Sequence, residues 1–178
     1  MKRVIAPLDQ MGAEIESVDG HAPLTIHGRH PLRSISYELP IASAQIKSCI
    51  LLAGLNAEGE TAVIESAPTR DHTERMLRWF GAEIGEESSG SATRISINGD
   101  TELNAAGDMV IPSDISAAAF FIIAASSLAG SSIRMENVGV NPTRAALIDV
   151  VGRQLGGHVR LGDQKELNNE PLATITTG

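Results

Sequence analysis

The sequence predicts a mixed α/β (α+β) protein assembled from repeated βαβαββ units whose helices are buried against sheets. The first observation is a restated string, since LRWFGAEI at 77–84 repeats LDQMGAEI at 8–15, with a weaker third copy, VGRQLGGHV, at 151–159. The second is a longer echo: SAQIKSCILLAGLNAEGETAVIE from Ser43 returns as SAAAFFIIAASSLAGSSIRME from Ser116. Elements that recur in the same order at a fixed spacing mark an internal structural repeat. The third is hydrophobic pattern. The stretch 41–55 carries its polar residues, Ser43, Gln45, Lys47 and Ser48, in its opening turns and is apolar beyond them, the pattern of a buried helix.

Taken in order, the chain opens with Val4, Ile5, Leu8 and Met11 at helical spacing, interrupted by Pro7 and with no capping residue ahead. Gly12 ends this helix. A strand follows over 13–17, then a turn at Asp19 and Gly20, then an alternating strand from His21 to His27. Tyr37 to Pro40 leads into the helix 41–55. Gly59 makes a turn before a strand at 61–65. A helix from about Asp71 to Phe80 has Asp71 and Glu74 at capping-box spacing and Met76, Leu77 and Phe80 as its buried stripe, and Gly81 closes it. Polar, Gly-containing NGDTELNAAGDMVIPSD at 98–114 is the expected crossing between two domains. Ser113 or Asp114 then caps a second buried helix, and Asn141 before Pro142 starts a helix expected over 143–155. A last strand covers 172–176.

Composition narrows the function classes. With 22 acidic against 14 basic residues the formal charge is −8, which argues against nonspecific nucleic acid binding, because phosphate backbones are bound by basic surfaces. Only 5 of 178 residues are aromatic, so the core must rest on Ile, Leu, Val, Ala and Met. Cys49 is the single cysteine and sits in an apolar run, which excludes an intrachain disulfide and points to a packed thiol in a reducing cytoplasm. No apolar run is long enough to span a bilayer, and the first ten residues lack the apolar region of a signal peptide. His27 and His30 are separated by a loop and have no Cys or acidic partner at metal spacing, so no metal site is expected.

The helix start at Ser43 gathers polar side chains where backbone N–H groups point outward unsatisfied, a place suited to an anion. SAQIKS, the following LLAGLNAEG, and PTRDHTERML from Pro68 to Leu77 closely resemble the bacterial 5-enolpyruvylshikimate 3-phosphate (EPSP) synthases, the 3-phosphoshikimate 1-carboxyvinyltransferases. That family transfers the enolpyruvyl group of phosphoenolpyruvate to shikimate 3-phosphate and is built from six βαβαββ units in two domains. The resemblance implies that Ser43, Ala44 and Gln45 hold shikimate 3-phosphate, that Gln45 also reaches phosphoenolpyruvate, and that Arg70 contacts the shikimate phosphate side. Lys47 is a further candidate to steer anions, although it lies on a different helical face from Gln45. No residue is assigned a catalytic role and no cofactor is implied.

By the same correspondence, residues 1–110 form a partial first domain, a half unit plus one full βαβαββ unit, and residues 111–178 the first unit of a second domain. The family's early Lys, its Gly-rich segment with Arg, and its later acidic, Lys and Arg residues have no counterpart here. The expectation is therefore a central fragment that holds part of the site and does not turn over alone. A noncatalytic ligand-binding or assembly module of the same fold is the alternative. A relative acting on a UDP-sugar is a third, against which SAQIKS and PTRDHTE argue. Incomplete sets of units leave apolar faces uncovered, at Val4, Ile5 and Leu8 and after Val110, so a homodimer or an exchange of units between chains is expected.

Overall fold

The structure, a computed structural model, describes residues 1–105 and 107–178. The chain divides into two compact bodies, Met1–Ala105 and Ala106–Gly178. The crossing expected over 98–114 includes Ala106, which lies outside the described residues.

In the first body, helix α1 (Lys2–Gln10) is followed by the antiparallel pair β1 (Glu14–Val18) and β2 (His21–His27), joined through Asp19 and Gly20, both at positive φ. Helix α1 has no side-chain cap at its start, as its sequence implied. The short strand β3 (Leu32–Arg33) pairs in parallel with β5 (Ala57–Glu58). Around them runs one full unit: β4 (Ser36–Glu38), α2 (Ala44–Gly54), β6 (Glu60–Glu65), α3 (His72–Trp79), β7 (Ile84–Ser89) and β8 (Ala92–Asn98). The sheet order is β4-β6-β8-β7, with β4 parallel to β6 and the other pairs antiparallel.

The second body repeats this wiring. Helix α4 (Ile115–Ser127), β9 (Ile133–Gly139), α5 (Ala146–Asp149), β10 (Val159–Leu167) and β11 (Glu170–Thr177) give a sheet in the order β10-β11-β9. Where the first repeat has β4 beside β6, the second has a single parallel bridge from Ser113 to Val138. Each repeat buries its own core. Ile46, Ile50 and Leu51 of α2 meet Val63, Leu77, Ile95 and Ile97, whereas Ile115, Ala118 and Ile122 of α4 meet Val138, Val151 and Ile175. Each fully buried Ile or Leu of this kind contributes roughly 1.5–3 kcal/mol.

The restated string is a helix stop. Gly12 and Gly81 both take positive φ, +92° and +87°, and the amides of Ala13 and Ala82 bond back to the carbonyls of Leu8 and Leu77 at 3.0 and 2.9 Å. A side chain at either glycine would be strained in that conformation. The third copy carries one residue more, and the helix absorbs it as a π-turn over Val150–Gln154, with Gly156 at φ +71° and the Gly157 amide on the Val151 carbonyl at 2.9 Å.

Four expectations are corrected. The helix expected over 143–155 starts only at Ala146. Asn141 caps a separate turn instead, its Oδ1 accepting from the Thr143 amide at 2.9 Å and from Thr143 Oγ1 at 2.6 Å. The capping box at α3 does not form: Asp71 makes no side-chain cap bond and takes Arg75 Nε at 2.8 Å, while Glu74 turns into the interior. Neither α2 nor α4 is buried all round, since Leu52 is 43% and Phe120 79% exposed, and on α3 only Leu77 of the expected stripe is fully buried.

Candidate functional site

Helix α2 begins at Ala44 because Ser43 is extended (φ −147°, ψ 105°) and its hydroxyl accepts from the Ile46 amide. At 3.5 Å this cap is long, so the positive end of the helix is only loosely satisfied by its own chain. One turn supplies two kinds of residue. Ile46 and Lys47 point into the body, while Ala44 and Gln45 face outward, and Ser48 and Cys49 continue that outer face at i+4.

Across from this face stand Arg70 and the first residues of α3. Ala44, Gln45, Ser48 and Cys49 from α2, with Arg70, His72 and Thr73, line an open cavity of about 400 Å³. Ser48 Oγ and Thr73 Oγ1 meet at 2.6 Å and tie the two helices together at the cavity wall. Arg70 is half-buried and makes no ion pair among the described residues, because Asp71 is held by Arg75. A guanidinium facing a loosely capped helix start is an anion-receptive arrangement, and Arg can meet a phosphate or carboxylate with two parallel hydrogen bonds. Burial pushes the Cys49 thiol up, which keeps it a neutral wall group rather than a thiolate nucleophile.

Of the residues singled out from sequence, the structure brings Ala44, Gln45 and Arg70 onto one cavity and places Ser43 at its edge as the helix cap. Lys47 is the correction. Its side chain is 1% exposed, and its Nζ lies 2.6 Å from Glu74 Oε1 and 3.3 Å from Glu65 Oε2. It faces the interior and does not line the cavity. Sequence reasoning missed Ser48, Cys49, His72 and Thr73. The i+4 step from Ala44 and Gln45 was a signal for the first two, and nothing local announced the others. Among the described residues no group of three or more His, Cys, Asp or Glu could hold a metal ion, and no helix is long and apolar enough to cross a membrane.

The wiring of parallel β4 and β6 feeding an antiparallel pair, with α2 and α3 as its helices, is that of the enolpyruvyl transferase fold. The enolpyruvyl transferase NikO from Streptomyces tendae shares that fold at 16% identity, with a TM-score of 0.64 over 99% of this chain and 41% of its own. The EPSP synthase from Acinetobacter baumannii is far more similar, at 44% identity and a TM-score of 0.83, over 99% of this chain and 39% of its own. Residues 1–176 match the family described as EPSP synthase (3-phosphoshikimate 1-carboxyvinyltransferase), and the chain belongs to that family. Proteins named 3-phosphoshikimate 1-carboxyvinyltransferase from Alkalilimnicola ehrlichii and Novosphingobium aromaticivorans are 49% and 50% identical over 98% of this chain. The chain spans about two fifths of the length of these curated relatives, 38% and 40%.

Proposed function

We propose that residues 1–178 form a central part of a 3-phosphoshikimate 1-carboxyvinyltransferase and carry one wall of its shikimate 3-phosphate site. The observation that carries this reading is the cavity that joins the loosely capped start of α2 to Arg70. The reaction moves the enolpyruvyl group of phosphoenolpyruvate onto a shikimate 3-phosphate hydroxyl and releases phosphate. Both substrates are anionic, so the wall must offer N–H groups and fixed positive charge. The amides at the start of α2, the Gln45 carboxamide and the Arg70 guanidinium supply that wall for shikimate 3-phosphate, with Gln45 oriented toward phosphoenolpyruvate as well.

In this reading residues 1–110 belong to the first domain and 111–178 open the second. A cytoplasmic location goes with it, supported by the lone, partly buried Cys49 thiol. The family's early Lys, its Gly-rich segment with Arg and its later acidic, Lys and Arg residues have no counterpart among these residues, so in this reading the 178-residue chain by itself turns over neither substrate. The chain's second partner is another copy of itself, as a homodimer or through exchanged units. Support comes from α4, where Phe120 is 79% and Phe121 57% exposed.

Titration of the 15N-labelled chain with shikimate 3-phosphate tests the site. Weak binding that shifts the Ser43 to Gln45 amides is expected, and Arg70→Ala weakens it by roughly 1–3 kcal/mol, the worth of a charged hydrogen bond. Unmoved amides at millimolar ligand would overturn the assignment, and steady phosphate release from the two substrates by this chain would overturn the claim of incompleteness.

A further inference from the structure

We propose that the buried charges Lys47, Glu65 and Glu74, with Thr69, are positioning residues that set Arg70 against the start of α2. The inference rests on the reading of that cavity as an anion site. Lys47 is on α2, Glu65 ends β6, Thr69 precedes Arg70, and Glu74 is in the first turn of α3. One ammonium therefore joins α2 and α3, which line the cavity, to the end of β6, whose Glu65 in turn holds the residue before Arg70. Lys47 Nζ reaches Glu74 Oε1 at 2.6 Å and Glu65 Oε2 at 3.3 Å, and Thr69 Oγ1 donates to that same Glu65 oxygen at 2.7 Å. The Thr69 amide leans on Glu65 Oε1 at 3.5 Å. Arg70 is thus one peptide bond from a residue held through two of its own polar groups, while its guanidinium stays unpaired among the described residues.

The second repeat shows that the fold does not need these charges. Pro142, Thr143 and Arg144 repeat Pro68, Thr69 and Arg70. Aligned on that tripeptide, Glu65 corresponds to Gly139 and Glu74 to Ile148. Aligned on the helix caps Ser43 and Asp114, Lys47 corresponds to Ala118. Ala118 and Ile148 belong to the second apolar core. The same βαβαββ wiring closes over Ala, Gly and Ile, so an ion network at those places in the first repeat has a role other than closing the core. Buried ion pairs are often replaceable by apolar side chains at no loss of stability, and what they can supply is one defined geometry. Glu74 Oε2, buried with no hydrogen-bond partner among the described residues, is a cost that core packing alone does not explain.

The test compares three variants of the 178-residue chain with the unsubstituted chain: Thr69→Val, Thr69→Ser, and the apolar triple substitution Lys47→Met, Glu65→Leu, Glu74→Leu. Arg70 Nε relaxation by 15N NMR reads the order of the guanidinium, shikimate 3-phosphate affinity reads the site, and thermal unfolding reads the fold. Thr69→Val and the triple variant are expected to unfold near the parent temperature, to loosen Arg70, and to raise Kd about tenfold, the worth of one misplaced charged hydrogen bond. Thr69→Ser, which keeps the hydroxyl, restores both readouts. Arg70 as ordered in Thr69→Val as in the parent overturns the proposal, and that result does not depend on whether the triple variant folds. Should shikimate 3-phosphate leave the parent's Ser43 to Gln45 amides unmoved while Thr69→Val still loosens Arg70, the ligand assignment fails and the positioning network stands.

Discussion

The first and second repeats place the same tripeptide, Pro-Thr-Arg, beside the start of the corresponding helix, and finish the two sites in opposite ways. At α2 the cap is a neutral hydroxyl at 3.5 Å and Arg70 has no partner among the described residues. At α4 the cap is the Asp114 carboxylate, 2.9 Å from the Ser116 amide, and Arg144 donates to Ser116 Oγ. The chain supplies its own anion to the positive end of α4 and leaves the positive end of α2 for something else. The interiors are reversed as well, with Lys47, Glu65 and Glu74 under the open site and Ala118, Gly139 and Ile148 under the closed one. The lesson is that a repeated scaffold fixes where a helix start will be, and a few side chains decide whether it is available to a ligand.

The largest effect that would break this comparison is at Lys47. Lys47→Ala leaves Glu65 and Glu74 buried at 5% and 3% exposure with no opposing charge, and such a loss costs about 3–5 kcal/mol. Hydrogen exchange of the α2 and β6 amides should accelerate accordingly, with α4 and β9 unchanged. Equal protection before and after the substitution would mean that the interiors of the two repeats are energetically alike.

An intermediate effect concerns the outer faces. Helix α2 shows Leu52 at 43% exposure, whereas α4 shows Phe120 at 79%, Phe121 at 57% and Ile123 at 41%. The second repeat therefore carries the apolar face that a second copy of the chain would cover. Light scattering is expected to give a dimer that Phe120→Ser with Phe121→Ser converts to monomer. A parent chain that stays monomeric at high concentration, with α4 fully protected from exchange, would remove the partner.

Much of this contrast was legible in the sequence, and its gaps have physical causes. The helix stops at Gly12 and Gly81, the positions of α2 and α4 and the strand that ends the second repeat follow from local pattern, because positive φ and hydrophobic period are properties of neighbouring residues; the expected all-round burial of the two helices does not hold, since Leu52, Phe120 and Phe121 are exposed. Ala44, Gln45 and Arg70 came from resemblance, and the structure sets them on one cavity. Lys47 did not read correctly, since its partners lie on β6 and α3 and nothing near it in the chain announces two carboxylates. Glu74 was misread for the same reason: capping-box spacing is local, and a buried ammonium competes for the same carboxylate and wins. The late start of the helix after Asn141 escaped notice because Asn141 before Pro142 reads locally as a helix cap, whereas its carboxamide closes a separate turn on Thr143.

The smallest effect tests the closed site itself, through pH. The Asp114 carboxyl is held below its ordinary value, first by the Ser116 amide, then by the Ser116 hydroxyl and, more weakly, by the charge of Arg144. A carboxylate whose folded pKa is depressed adds stability that is fully present above its unfolded pKa, near 3.9, and that stability is lost as pH falls through the lower folded value. The window therefore lies in acid, from about pH 4 downward, and neutral pH leaves it untouched. Asp114 is exposed, so solvent and salt screen the interaction and the change is modest. Exchange of the first-turn amides of α4, followed from pH 5 to 3, should accelerate in the parent chain and run flat in Asp114→Asn. Asp114→Asn should leave exchange of the first turn of α2, capped by the Ser43 hydroxyl, unchanged. An acid step at α4 that survives in Asp114→Asn would mean that the carboxylate cap is not what closes that helix start, and the contrast between the two would fall.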